Sequence, residues 1–557
     1  LFCGNLGRKY SFINFEPIFH YIINSICDDQ YLNLLILKEL ITCMTGKEIV
    51  KDLSELQVEE LSSGNEIKQI LGVKGEKANQ KFRPKGIAQL RNILENQHTA
   101  TSFVTPFLVI IAQCQQNVIY RAQSENLKLT GQLHDSCREI MILYVEFLHS
   151  AYSDVEYCNL IPDMLELSQN YFLDFLNILY IHRQVLQCNK SMFMKKLLDD
   201  NIILQCSSTN TTWKELCDIF RKIQAGQLKV PPGLYAIFWT LTLSDIYVPS
   251  ERYEKEISKA TKNPFFHDKN LLSQGSLDNG EHERCLHSHI VRTLKKELEL
   301  HQKNIMSSRL CLNTQTKGCR KNMTDVINGD ASDIVISLLQ NCLLPRCVYS
   351  CADAIYSFRF ILELCKQEEQ LYDFIQICDE LCHNLSGLLF LCTESEGSEF
   401  ARFFAEILKV LDELVGQNIR SEVLNTMKHS SDENEIFRRI VKRYYGWQQE
   451  IGKSIINGLK SQDYMELRNT LIFSTKTLRY FPIIHRIGNG IVDQGESILD
   501  SDTRSDIRTV ASRYHALIRH KRTNWIGDDT CISSRYKSVL DSTSVRSSTK
   551  LETHLYH

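Results

Sequence analysis

The sequence predicts an all-α protein, and three observations carry that prediction. Apolar residues recur at steps of three and four, as at Phe400, Phe403, Phe404, Ile407, Leu408, Leu411 and Leu414, which stacks them on one face of a helix. The 557 residues include only 24 glycines and 10 prolines, too few for the many turns of a sandwich or barrel. Alternating apolar and polar runs bounded by Asn-Gly or Asp-Gly turns are nearly absent.

Taken in order, residues 1–228 read as helical segments, with helical spacing at Leu34, Leu37 and Ile41. Polar breaks at Ser62, Ser63 and Gly64 and a basic stretch from Lys74 to Lys85 separate them. Pro231, Pro232 and Gly233 then punctuate the chain ahead of Tyr235, Phe238, Trp239 and Tyr247, so 229–250 is predicted as a connecting aromatic helix. Residues 251–330 turn polar and charged. A helix around Arg292 to Lys303 carries little apolar face there, and the stretch is expected to be a solvated, partly disordered insertion.

Dense helical spacing returns in 331–500, at Ile355, Phe358 and Leu362 and again at Leu467, Leu471, Ile472 and Leu478. Residues 501–557 are rich in Ser and Thr, with ten Lys and Arg against six Asp and Glu, and are read as a polar, basic, disordered tail. No sequence repeat of fixed period appears. Many amphipathic helices without one long heptad pattern predict antiparallel helical hairpins stacked into an irregular α-solenoid, two helical-repeat regions joined by a charged linker.

Composition narrows the function. A net charge of −3 supplies no global field toward nucleic acid, although a local patch still can. Twenty cysteines at irregular spacing fall below the density of a disulfide scaffold, and Cys351, Cys365 and Cys392 sit in apolar helical stretches where a reduced thiol packs as a small hydrophobe. No run of eighteen apolar residues and no leader pattern of charge, apolar run and small-residue site is present. The expected setting is reducing and soluble, nucleus or cytoplasm. Because the chain starts at Leu1, it is expected to be part of something longer.

Candidate chemistry is sparse. Gly72 to Lys77 lacks the spacing and the preceding strand of a phosphate-binding loop. The richest metal-like cluster holds His282, Cys285, His287 and His289 but no matching second pair, and reads as a solvated linker. Cys347 and Cys351, and Cys378 and Cys382 beside His383, lie one helical turn apart and are expected to be buried thiols. Thr393 and Glu396 form a capping-box pattern, with Glu394 and Glu399 as acidic residues at the start of the following helix. No nucleophile elbow appears. No catalytic residue, metal, cofactor or small-molecule substrate is expected.

For nucleic acid, Arg438, Arg439, Lys442 and Arg443 interleave with Tyr444, Tyr445 and Trp447. Phe437, Ile440, Val441, Tyr444 and Tyr445 also fit a buried stripe, which would leave the cations on the opposite face. Arg519, Lys521 and Arg522 near Trp525 form a weaker basic cluster.

Several blocks resemble the family of subunit 2 of the THO complex. They are Asn33 to Leu40 (NLLILKEL) with Met44 to Ile49 (MTGKEI), then Leu234 to Ile246 (LYAIFWTLTLSDI) with Val248, Pro249, Tyr253 and Glu254. Leu344 to Cys347 (LPRC) follows, with Asp353 to Tyr356 (DAIY), Arg359 and Phe360. Shorter echoes are Cys392 to Glu394 with Arg402 and Phe403, and Leu467 to Asn469 with Lys476 to Leu478 and Tyr480 to Pro482. They occur in the family's order over most of residues 12–485. Residues 145–225 match only loosely, the insertion is less lysine-rich than the family's, and the tail is barely comparable.

The resemblance is to the family's middle and C-terminal parts. It implies a first region similar to the middle domain of translation-initiation scaffolds, a type that docks helicases, and a second, solenoid region for subunit assembly. It further implies a nuclear, non-catalytic scaffold of the THO/TREX assembly for mRNA processing and export. Its partners would be other THO subunits, a DEAD-box RNA helicase and, directly or indirectly, mRNA, without a membrane. No catalytic residue carries over. Phe238 and Trp239 read as packing anchors, Pro345 as a first-turn proline, Arg346 and Asp353 as a local ion pair, and Arg359 as part of the same structural motif. The alternative is direct RNA binding through 438–447 and the basic tail.

Overall fold

The computed structural model describes residues 15–27, 33–47, 52–64, 67, 84–95, 102–120, 126–198, 230–262, 279–316, 331–366, 374–415 and 433–527. Among the described residues no strand occurs; one isolated bridge joins Ile484 and Ile526. The chain divides into two compact units. Residues 1–123 and 136–320 form the first, and residues 124–135 and 321–557 form the second.

The first unit begins with α1 (Glu16–Cys27), α2 (Leu34–Thr45), α3 (Glu55–Ser62), α4 (Pro84–Glu95) and α5 (Val104–Tyr120). It continues with α6 (Leu127–Ala151), whose residues before Ser136 group with the second unit, and with α7 (Asp154–Leu160), α8 (Met164–Gln169) and α9 (Phe175–Leu198). After α10 (Pro232–Thr240) come α11 (Ser250–Lys262) and α12 (Asn279–Thr316). Aromatic edges fill the α1–α5 contact, with the Phe19 ring 5.3 Å from Phe103 and 5.2 Å from Phe107. Gly86 lets α4 cross α2 closely, since a Cβ there would collide with the Met44 carbonyl oxygen. The end of α2 is closed by Gly46 at φ 75°, a left-handed conformation that suits glycine.

Two expectations change here. Instead of a mere connector, α10 has Leu234 through Leu241 buried, packed against α9 and α12. Over its described part the charged stretch 251–330 is helical, burying one face while the other stays in solvent. Tyr253 and Leu294 are fully buried around Ile67, the Tyr253 hydroxyl donates to Glu297 at 2.9 Å, and His301 Nε2 lies 2.6 Å from the Ser244 carbonyl. A few large side chains at the right register suffice to bury one face of α12, whatever the average polarity.

The second unit contains α13 (Ala331–Leu338), a π-turn at Leu339–Leu343, α14 (Leu344–Cys347), α15 (Cys351–Cys365), α16 (Phe374–His383) and α17 (Leu385–Leu391). Then follow α18 (Glu394–Val415), α19 (Glu433–Leu459), α20 (Tyr464–Thr477), α21 (His485–Ser501) and α22 (Ser505–Lys521). α18 packs along α20, where Phe400 and Phe404 meet the Phe473 ring at 6.1 and 5.2 Å. The capping box forms at the start of α18: the Thr393 amide donates to Glu396 at 2.9 Å and the Glu396 amide to the Thr393 hydroxyl at 3.3 Å.

The disordered tail also needs correction. Residues 505–521 form α22, which buries Ile507, Ala511, Tyr514 and Ile518, and Trp525 lies over Gly488 of α21. The Ile526 amide donates to the Ile483 carbonyl at 2.8 Å. Residues 528–557 lie outside the described set.

Candidate interaction surfaces

The basic and aromatic segment 438–447 lies within α19, and the structure separates its two halves. Tyr444, Tyr445 and Trp447 are buried, while Arg443 is exposed. Asp379 on α16 ties them together, accepting from the Arg443 guanidinium and from the Trp447 indole N–H, each at 2.6 Å. One carboxylate thus satisfies a buried ring donor and holds an exposed cation. The side chains of Arg438, Arg439 and Lys442 lie outside the described residues.

At the end of α22, Arg519 is exposed, 3.9 Å from Glu496. Lys521 turns inward, donating to the Leu478 carbonyl at 2.5 Å and the Arg479 carbonyl at 3.2 Å. Burial lowers this ammonium to about 8, against the favourable placement of a cation at the end of α20. Arg522 is exposed.

The family-motif residues are architectural in geometry. The Arg346 Nε and Asp353 Oδ1 atoms meet at 2.9 Å with both side chains buried, and the guanidinium lies 3.5 Å from the centre of the Tyr356 ring. Asp353 also accepts from the Ser350 hydroxyl at 2.7 Å, so the pair closes the start of α15. Pro345 lies in the first turn of α14. The residue before α14 already has helical angles, and the π-turn carries the chain into it. Its missing N–H is accommodated where the hydrogen-bond ladder has already shifted register. Phe238 and Trp239 pack edge to face at 5.2 Å, and the Arg359 guanidinium lies 5.9 Å from the Phe358 ring.

Cys347, Cys351, Cys378 and Cys382 are buried. Burial pushes Cys347 and Cys382 well above the usual thiol range, away from the thiolate that binds metal or attacks carbon. His383 and His289 are exposed, and the side chains of His282, Cys285 and His287 lie outside the described residues. Among the described residues no group of three or more His, Cys, Asp and Glu could hold a metal ion, and no helix is long and apolar enough to cross a membrane.

Sequence reasoning missed one cluster in the second unit. Lys128 Nζ and the Tyr464 hydroxyl both donate to Asp506 Oδ2, at 2.6 and 2.8 Å, and Arg468 Nη1 donates to the Tyr464 hydroxyl at 2.7 Å. Arg468 also reaches Glu394, and Arg504 chelates Asp502. The hydrogen bond from Lys128 holds the Asp506 carboxyl well below its ordinary range, and the hydrogen bond from Arg504 lowers Asp502. Lys128, Tyr464, Arg504 and Asp506 border an open cavity of about 510 Å³. Its cations are matched by carboxylates, so the cluster clamps helices rather than presenting net charge. Arg468 and Tyr464 are neighbours on one helix, but Lys128 lies 378 residues before Asp506, a pairing that no local signal could have found.

These are the geometries of helix packing, and they fall where a family profile matches. The profile of Tho2, described as transcription factor/nuclear export subunit protein 2, matches residues 227–518, more than half of the chain. The chain belongs to the Tho2 family. It is 27% identical to THO complex subunit 2 of Arabidopsis thaliana over 95% of this chain and 30% of that protein. It is 23% identical to THO complex subunit 2 of Mus musculus over 95% of this chain and 34% of the relative, and 23% identical to that of Saccharomyces cerevisiae over 93% and 29%. The chain therefore spans about a third of the length of these Tho2 relatives. The α10 block, the Arg346–Asp353 pair and α22 as far as Ile518 lie within the matched residues.

Proposed function

We propose that this chain is a non-catalytic scaffold segment of the THO/TREX assembly in the nucleus. It would hold other THO subunits and a DEAD-box RNA helicase, coupling transcription to mRNA packaging and export. The observation that carries this reading is similarity to THO complex subunit 2 over 95% of the chain, in an animal and a plant relative alike. The internal use of its polar groups supports it: Arg346, Asp353, Asp379 and Arg468 are spent on joining helices, which leaves helix faces as the output. On this reading the helices stack as antiparallel hairpins into an irregular α-solenoid, with the first region docking the helicase.

The test is co-expression with the remaining THO subunits, followed by size-exclusion chromatography and helicase ATPase assays. Co-elution together with a changed ATPase rate is expected. A chain that elutes apart from every subunit and leaves the rate unaltered would end the proposal. Direct RNA contact is the second reading, and among the described cations it would run through Arg443, Arg519 and Arg522, because the α19 rings are buried. Its mark is a steep fall of RNA affinity with salt that flattens on charge reversal of these arginines.

A further inference from the structure

The face of α12 turned away from its core has an order that packing within the unit does not require. Arg292, Lys296, Glu299, Lys303, Met306 and Leu310 are all exposed, and they follow one another at steps of four, three, four, three and four. They form one continuous exposed stripe along the helix, long enough for a second helix to lie against it. Leu294, His301, Ile305, Ser308 and Leu312 occupy the opposite, buried face, so the seam plays no part in the contact with α11.

Its two halves differ in chemistry. Arg292, Lys296 and Lys303, flanked by Lys295, set four cations against the single acid Glu299, and no ion pair engages these four among the described residues. Beyond them Met306 and Leu310 are 69% and 48% exposed, with Leu300 at 60% alongside. Exposed cations with no ion pair among the described residues call for an anionic partner, and adjacent exposed aliphatics call for an apolar one. A nucleic acid meets the first demand but gains little from the second, since bases stack on aromatic rings and this seam is aliphatic.

We infer that the outer face of α12 is a docking seam for an acidic amphipathic helix of a protein partner. That helix lays carboxylates along Arg292 to Lys303 and an apolar end against Met306 and Leu310. From Arg292 to Leu310 the seam runs about 27 Å, or five turns. The inference deepens the scaffold reading by naming the chemistry of one partner, and it can fail while THO co-elution succeeds.

The test uses the full chain and a synthetic helical peptide of about three heptads. The peptide carries glutamates over one half and leucines over the other at three-four spacing. A register-scrambled peptide of the same composition and an oligouridylate are the controls. Binding is read by fluorescence anisotropy for wild type and for the surface variants K296E/K303E and M306D/L310D, with unchanged thermal melting confirming their folding. Each double variant is expected to weaken peptide binding about tenfold or more, and added salt to weaken it further. The inference falls if the designed peptide does not bind, if the scrambled peptide binds equally well, or if either variant leaves binding unchanged. Oligouridylate binding lost in K296E/K303E but kept in M306D/L310D would make the seam an RNA surface and would equally overturn it.

Discussion

In the first unit, His149 and His182 lie in or against the core as neutral imidazoles; in the second, a guanidinium and a carboxylate occupy the equivalent setting. Burial lowers both histidines to about 4, with His182 Nε2 placed 2.9 Å from the Pro162 carbonyl and the His149 ring 4.7 Å from that of Tyr157. Arg346 and Asp353 instead form a buried ion pair at 2.9 Å. A neutral imidazole needs one partner and tolerates a greasy wall, but protonation is a threat to it. A buried ion pair is indifferent to mild acid, yet neither member survives loss of the other. The same fold class thus carries two kinds of vulnerability.

The largest expected effect tests whether α22 belongs to the second unit. Ending the chain after Arg504 removes Ile507, Tyr514 and Ile518 from the core and should destabilise that unit by on the order of 5 kcal/mol. Urea unfolding with hydrogen exchange at α20 and α21 reads the loss. Arg346→Ala comes next. It strands Asp353 and should cost about 3–5 kcal/mol, whereas Arg346→Met with Asp353→Leu should recover most of this.

Acid sharpens the contrast. Between the unfolded value of 6.5 and the folded value of about 4, unfolded histidine binds a proton that folded His149 or His182 does not, so stability falls as pH drops through that window. The loss reaches up to about 3 kcal/mol for each. Asp502 and Asp506 sit below their ordinary value of 3.8, and their contribution is lost only at lower pH still. Hydrogen exchange should therefore open α7 to α9 before α20 to α22, and His182→Gln should shrink the difference.

The smallest effects probe close approach. Gly86→Ala forces a Cβ against the Met44 carbonyl and should cost about 1–3 kcal/mol in thermal melts. Gly446→Ala, where nothing lies within 4 Å, should instead stabilise α19 by about 0.5–1 kcal/mol.

Much of the fold was legible where the apolar spacing was dense. The Phe400 to Leu414 stripe is α18, Thr393 and Glu396 cap it as their spacing suggests, and Arg346 and Asp353 are seven residues apart, within reach of local reading. Two elements were hidden by average composition. Ile507, Ala511, Tyr514 and Ile518 keep helical steps, but surrounding Ser, Thr and Arg outweighed them. Tyr253 and Leu294 are sparse in a charged stretch, and their burial depends on Ile67, which lies far earlier in the chain. Of the candidate surfaces, only the buried stripe of α19 could be anticipated; that Asp379 would join Arg443 to Trp447 could not.

The sequence by itself determined that this chain is helical, which family it resembles, and which faces of its densest helices turn inward. Those properties follow from residue spacing along a single helix, a local geometry that every window of sequence carries. Only the tertiary structure decided that the described helices of the charged stretch and the near tail each bury one face, that Lys521 turns inward while Arg519 stays in solvent, and that the outer face of α12 is exposed. Burial is set by what arrives from distant parts of the chain, and charge counts along the sequence do not record which side chains are covered when it does.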